Sequence, residues 1–203
     1  YSLSSSYDSV FREVTAPPMI RMMEDLGLQN GMLIAQCIIH KGIPKVYDLG
    51  YRLTGTLEYK LQEALFGFNP LKMMIRHSLT GQMREAGDHG DPAALAQSDR
   101  YGFNVTILGK EGTIAKIEGG PQILAMPSVE DCVFKLVEGD RISRDMIGTL
   151  GQIVARIFFT ADDLEEAASI LEAIYGHIRV WDDRGEDMIL DRFNPEELPS
   201  VYL

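Results

Sequence analysis

The spacing of apolar residues changes period several times along the 203-residue chain, and each change marks an element. "APPMIRMMEDLGLQNG" starts with proline and carries an apolar stripe that stops at Gly27. It predicts a short helix over 17–26 and a turn at Asn30-Gly31. "MLIAQCII" and "KVYDLGY" are strand-forming runs joined by "HKGIP", whose Gly42 and Pro44 suit a hairpin turn. In "LEYKLQEALFG" the apolar positions Leu57, Leu61, Ala64 and Leu65 follow a helical period that closes at Gly67. "NPLKMMIRHSLTG" repeats the device, with Asn69 as cap, Pro70 at the first helical position and Gly81 at the end.

The pattern changes after "QMREAGDHGDPAALAQSDR", a candidate linker with Gly87, Gly90 and Pro92 among charges and one helical turn expected in "PAALAQ". Beyond it, "YGFNVTILG", "GTIAKIEG" and "CVFKLVEGD" are short β-rich runs punctuated by glycine, and a further strand is expected over 152–160. "DDLEEAASILEAIYGHI" predicts a helix capped by Asp162 or Asp163, with acids in its first turn and an end at Gly176. "IRVWDDRGEDMIL" reads as a strand, a turn around Asp183-Arg184-Gly185, and a further strand or turn. The opening "YSLSSSYD" reads as an ill-ordered leader or the stump of something longer. Short links between strands favour antiparallel pairing, so the expectation is α+β in both parts, with domains at 1–98 and 99–203.

Bulk properties narrow the function classes. A hydrophobic fraction of 45% is enough to bury a core. No apolar run approaches the roughly 18 residues that cross a bilayer, so no membrane partner is expected. The net charge of −11 argues against a nucleic-acid partner. That charge is uneven: residues 1–98 hold nine Lys and Arg against ten Asp and Glu, and residues 99–203 hold ten against twenty. Only the first part suits an anionic ligand. Cys37 and Cys132 sit in apolar runs and match no metal or redox spacing, as expected for reduced thiols of a cytoplasmic protein.

The candidate chemistry lies in "KVYDLGYRLTGTLEY". Successive strand residues alternate faces, so Asp48, Gly50 and Arg52 share one, and the hairpin brings Gln36 roughly opposite the end of the second strand. An acid beside an amide offers Mg²⁺ the hard oxygens it prefers. The planar fork of Arg52 suits a phosphate oxygen or a carboxylate, and Gly50 lets a bulky ligand approach the backbone. Thr54 and Thr56, just after Arg52, are candidates for contact with phosphate, and Glu58 lies one helical turn beyond that loop. The plain alternative is an exposed strand carrying an Asp–Arg pair. Elsewhere the signals are structural. His40, His77, His89 and His177 are scattered, Asp162 to Glu166 suit a helix start, and Asp182 to Asp187 lack the order of a calcium loop.

The layout resembles the C-terminal part of the ATP-grasp superfamily, which includes biotin carboxylases, the large chain of carbamoyl phosphate synthetase, phosphoribosylamine–glycine ligases and D-alanine–D-alanine ligases. In that family one strand bears a metal-binding acid. About twelve residues later a second strand ends in Glu-x-Asn-x-Arg, followed by small residues and a helix. Gln36 stands at the first acid and Asp48-Leu49-Gly50-Tyr51-Arg52 over the second motif, with "EALFGFNPLKMMIRHSLTG" similar to the continuation. "GTIAKIEGGPQI", "VEDCVFKLVEGDRIS" and "GTLGQIVARIFFTADDLEEAASILEAIYGHIRVWDDRGEDMI" are similar to the small C-terminal domain of biotin carboxylases and phosphoribosylamine–glycine ligases.

The resemblance implies the C-terminal half of an ATP-grasp domain followed by a small α+β domain. It implies an ATP-dependent carboxylate–amine ligase that forms an acylphosphate, similar to phosphoribosylamine–glycine ligases, with ATP and Mg²⁺ as cofactors and a small carboxylate and an amine as substrates. Asp48 and Gln36 would hold the metal, Arg52 would be the catalytic clamp, and Arg52, Thr54 and Thr56 would bind the nucleotide. The acidic second part is expected to act as a scaffold and a homodimer contact. Gln36, the shorter Asp48 and Gly50 depart from the pattern, and Thr56 stands where biotin carboxylases place a catalytic Glu, which argues against their chemistry. The phosphate-gripping lysines, glycine-rich flap and adenine-binding hinge of the family have no counterpart here. The expectation is therefore a C-terminal fragment that depends on an upstream part of the same protein and is inactive alone. The alternative is a non-catalytic assembly module with a degenerate metal site.

Overall fold

The computed structural model describes residues 2–3, 5–84 and 98–198. It divides into two units, Ser4–Ser98 and Asp99–Leu203 together with Tyr1–Leu3. The linker's glycines and its "PAALAQ" turn lie outside the described residues. Ser2–Leu3 (β1) is extended and belongs to the later unit.

In the earlier unit, helix begins well before the predicted Pro17. Asp8–Val10 (α1), a π segment at Phe11–Thr15 and Ala16–Asp25 (α2) follow without interruption. Pro17 and Pro18 have no N–H and their rings crowd the preceding turn, which would ordinarily end a helix. The chain widens instead, so that the Ala16 N–H reaches the Phe11 carbonyl. A proline pair that reads as a helix start is thus accommodated inside one, and the expected leader is helical from Asp8 on. The widened turn carries Thr15, whose buried hydroxyl donates to the Pro44 carbonyl at 2.8 Å and ties helix to hairpin.

Leu33–His40 (β2) and Ile43–Tyr51 (β3) form a two-stranded antiparallel sheet. Their loop is Lys41-Gly42, with φ of 51° and 75°, the positive pair that a twisted two-residue hairpin requires. Ala35 opposite Leu49, Cys37 opposite Val46 and Ile39 opposite Pro44 share one face. A groove between this hairpin and α2 is lined by Pro18, Met19, Met22, Pro44, Val46 and Leu49. Tyr59–Phe66 (α3) and Pro70–Thr80 (α4) follow, and each ends at a glycine with positive φ, Gly67 and Gly81. The Asn69 side chain accepts from the Lys72 N–H and donates to Glu63, satisfying the start of α4.

The later unit is built around one strand. Tyr101–Leu108 (β4), Gly112–Glu118 (β5), Gly120–Leu124 (α5), Val129–Phe134 (β6), Arg141–Ile142 (β7), Ile153–Ala161 (β8), Leu164–His177 (α6) and Arg179–Asp182 (β9) give sheets of order β1-β4-β8-β6 and β7-β5-β9. All nine residues of β8 are buried. Ser2 and Leu3 pair with Phe103 and Gly102, so part of the expected leader is sheet. Asp163 caps α6 by accepting from the Glu166 N–H at 2.8 Å. The helix runs through Gly176 to His177 rather than ending at the glycine, because Ile178 turns directly into extended backbone. Cys132 is buried, and burial together with Asp131 pushes its thiol up to about 11. Cys37 is half-buried and also raised by burial. Both are free, and burial disfavours the thiolate in each.

The acidic loop after β9 is a turn stabiliser. Oδ1 of Asp182 accepts from the N–H groups of Arg184 and Glu186 at 2.9 and 2.8 Å, and Oδ2 faces the Arg184 guanidinium at 3.2 Å. The Glu186 N–H, with the backbone and guanidinium of Arg184, holds the Asp182 carboxyl below the usual carboxylate range. Its contribution is present above the unfolded pKa of about 3.9 and is lost as pH falls through the lower native value. Asp182→Asn is therefore expected to melt below wild type at pH 7, with the gap narrowing once pH drops below about 4. A gap that stays constant from pH 7 to pH 2 would show that the charge plays no part.

Candidate functional site

The hairpin register settles which residues of the quoted stretch meet. Gln36 lies directly opposite Asp48 and Ile34 opposite Gly50, so Gln36, Asp48 and Gly50 share the face turned away from α2. Arg52 follows the last strand residue, and its side chain folds back over Gly50. A Cβ built at Gly50 would lie 3.7 Å from the Arg52 Nε. That is an ordinary van der Waals distance, so the Arg52 side chain packs beside Gly50 without requiring a glycine there.

Gln36, Asp48 and Arg52 are all exposed. Arg52 donates from Nη1 to its neighbour's carbonyl, Leu53 O, at 3.0 Å. The Asp48 carboxylate has no hydrogen bond or ion pair among the described residues, and the Asp–Arg pair of the plain reading does not form. The Asp48 carboxylate and the Arg52 guanidinium, four residues apart, have no ion-pair partner among the described residues. Both charges face solvent and are open to ligands of opposite sign.

Thr54 and Thr56 are engaged locally. Both hydroxyls donate to the carboxylate of Glu58, and their oxygens lie 3.1 Å apart. Glu58 reaches back over the loop rather than capping α3, and Leu57 between them has a φ of 68°. The structure therefore holds this loop through Glu58, and a phosphate would compete with that carboxylate for the hydroxyls.

The residue that periodicity missed is Tyr47. The register slips between Gln36 and Cys37, whose partners are Asp48 and Val46, leaving Tyr47 as the extra residue of a β-bulge. Its hydroxyl donates to the Gln36 Oε1 at 2.7 Å. Strict alternation hides it, since only the slip places it beside Gln36.

The donor set fits Mg²⁺ in a limited form. The exposed carboxylate of Asp48 belongs to the residue paired with Gln36, whose amide oxygen accepts one hydrogen bond, from Tyr47, and Gly50 adds no side-chain oxygen. Among the described residues no three His, Cys, Asp or Glu side chains gather. This suits one ion that keeps most of its water, not a pair of ions. No helix among the described residues is long and apolar enough to cross a membrane.

Neither a protein-family model nor a curated protein matches the sequence. Solved structures do match the fold. Phosphoribosylglycinamide synthetase from Anaerococcus prevotii superposes with a TM-score of 0.73 at 15% identity, over 90% of this chain and 44% of that one. L-amino acid ligase from Bacillus licheniformis gives 0.66 at 16% identity, over 87% and 42%. The biotin carboxylase domain dimer of Hydrogenobacter thermophilus 2-oxoglutarate carboxylase, in complex with MgADP, ADP and bicarbonate, gives 0.59 at 14% identity, over 100% and 46%. The chain spans less than half the length of these structures, and it shares the fold of the part that it covers.

Proposed function

We propose that this chain is part of an ATP-dependent carboxylate–amine ligase. In the proposed reaction a carboxylate oxygen of one substrate attacks the γ-phosphorus of ATP, ADP leaves, and an acylphosphate forms. The amine of a second substrate then attacks the acyl carbon and releases inorganic phosphate. The observation that carries the reading is the uncompensated Asp48, set opposite Gln36 on the hairpin face that also carries Arg52. Two of the similar structures are by name a synthetase and a ligase, and a third was solved with MgADP, which supports ATP and Mg²⁺ as cofactors.

In this reading Arg52 binds a phosphate oxygen or the acylphosphate through its free N–H groups and offsets charge that builds there. Asp48, flanked by the open lone pair of Gln36, would hold Mg²⁺, which when bound neutralises phosphate charge and helps orient the transferred group. Thr54 and Thr56 would meet the nucleotide only by exchanging Glu58 for it. The remainder of a longer protein supplies the other wall of the nucleotide site and selects the acid and the amine. A homodimer contact through the acidic unit and a cytoplasmic location belong to the same proposal.

Titration calorimetry of the full-length protein with MgATP tests it. Saturable binding with a dissociation constant in the micromolar to millimolar range is expected. No heat of binding at any accessible concentration would leave the chain as a non-catalytic module that keeps the fold without its ligand.

A further inference from the structure

The bulge at Tyr47 adds something to the proposed cation site that alternation along the strand does not supply. Tyr47 is 62% exposed, and its ring stands largely in solvent. Its hydroxyl nevertheless bridges to the other strand and donates to the Gln36 Oε1. The bridge falls where the ladder slips by one residue, beside the Gln36–Asp48 pair. Bulges re-aim side chains, and here the extra residue is aimed at the amide of Gln36, the register partner of Asp48.

Gln36 alone would be a poor ligand, since it is neutral, exposed and free to rotate about three bonds. An amide oxygen has two lone pairs, so a hydroxyl that takes one fixes the plane of the amide and leaves the other to be shared. Partners of this kind orient the groups that touch a metal and tune its affinity. We infer that Tyr47 is a positioning residue that holds the Gln36 carbonyl toward a divalent cation shared with Asp48. The inference rests on the nucleotide–Mg²⁺ reading above.

The test measures ADP binding to the full-length protein by titration calorimetry, once in EDTA and once in Mg²⁺. The ratio of the two affinities is the gain that the cation provides. Tyr47→Phe is expected to cut that gain to about a tenth and to leave metal-free affinity within about twofold. Gln36→Leu should cut it by a similar factor, and Tyr47→Phe should add nothing in that background, because the hydroxyl acts only through the amide. The inference is overturned by an undiminished gain in Tyr47→Phe, or by additive losses in the double variant. An equal fall in metal-free affinity also overturns it, since the ring would then merely brace the hairpin. A wild type that binds ADP without any gain from Mg²⁺ overturns it as well and leaves the nucleotide reading standing. A wild type that binds no ADP removes both.

Discussion

Asp48→Asn is expected to lower the Mg²⁺-dependent turnover of the full-length protein by about 100-fold or more, while its melting temperature stays within about 2 °C of wild type. The two halves of this expectation come from one observation. Asp48 is exposed and bonds to nothing among the described residues, so replacing a carboxylate oxygen by an amide removes no contact that folding uses. Substitutions of that kind ordinarily stay within about 0.5 kcal/mol. Function is different, because Gln36 is neutral and Gly50 has no side chain, which leaves Asp48 as the one formal charge of the proposed cation site. Losing a preorganised charge at a reacting phosphate costs about 3 kcal/mol, equivalent to the factor of about 100. The converse change, Gln36→Glu, adds a second carboxylate opposite the first and should tighten Mg²⁺. Wild-type turnover in Asp48→Asn would end the metal role. A large drop in melting temperature would show instead that the carboxylate serves the fold.

Legibility in the sequence followed how local each determinant was. The second hairpin-flanking helix was readable to the residue because Asn69, Pro70 and Gly81 act within one turn of themselves, and the structure uses Asn69 as the cap and Gly81 as the stop. The start of α6 was readable to within one residue for the same reason, since the sequence offers Asp162 or Asp163 as cap and the structure uses Asp163. Pro17 misled because a proline's local meaning, a helix start, was overridden by a π segment anchored through Thr15 to Pro44, a contact 29 residues away in sequence. Gly176 misled because a glycine needs a left-handed backbone to end a helix, and Ile178 leaves the helix without one. At the site, counting back from "HKGIP" brings Gln36 near the second strand's end, and the register sets it against Asp48 itself. Tyr47 was invisible because a one-residue slip has no compositional signal. The commitment of Thr54 and Thr56 to Glu58 was equally hidden, since loop hydroxyls name no partner until the backbone folds them together.

The largest stability effect is expected in the later unit, at Phe159. Its ring is 1% exposed and stacks on Phe103 with centroids 4.9 Å apart, and Val129 flanks it from the other neighbouring strand. Phe159 belongs to the same apolar cluster as Ile170 and Ile174 of α6. Truncation to Ala leaves a void that a sheet paired on both sides of β8 closes poorly. Phe159→Ala should therefore cost about 3–5 kcal/mol, against roughly 1–2 kcal/mol for Phe159→Leu, which retains most of the volume. Trp181, the protein's single tryptophan, lies in β9 of the same unit, so its fluorescence follows this unit's unfolding in denaturant. The midpoint for Phe159→Ala should fall far below that of Phe159→Leu at unchanged slope. A loss under about 1 kcal/mol for the Ala variant would mean that β8 and α6 do not form the core that stabilises the unit.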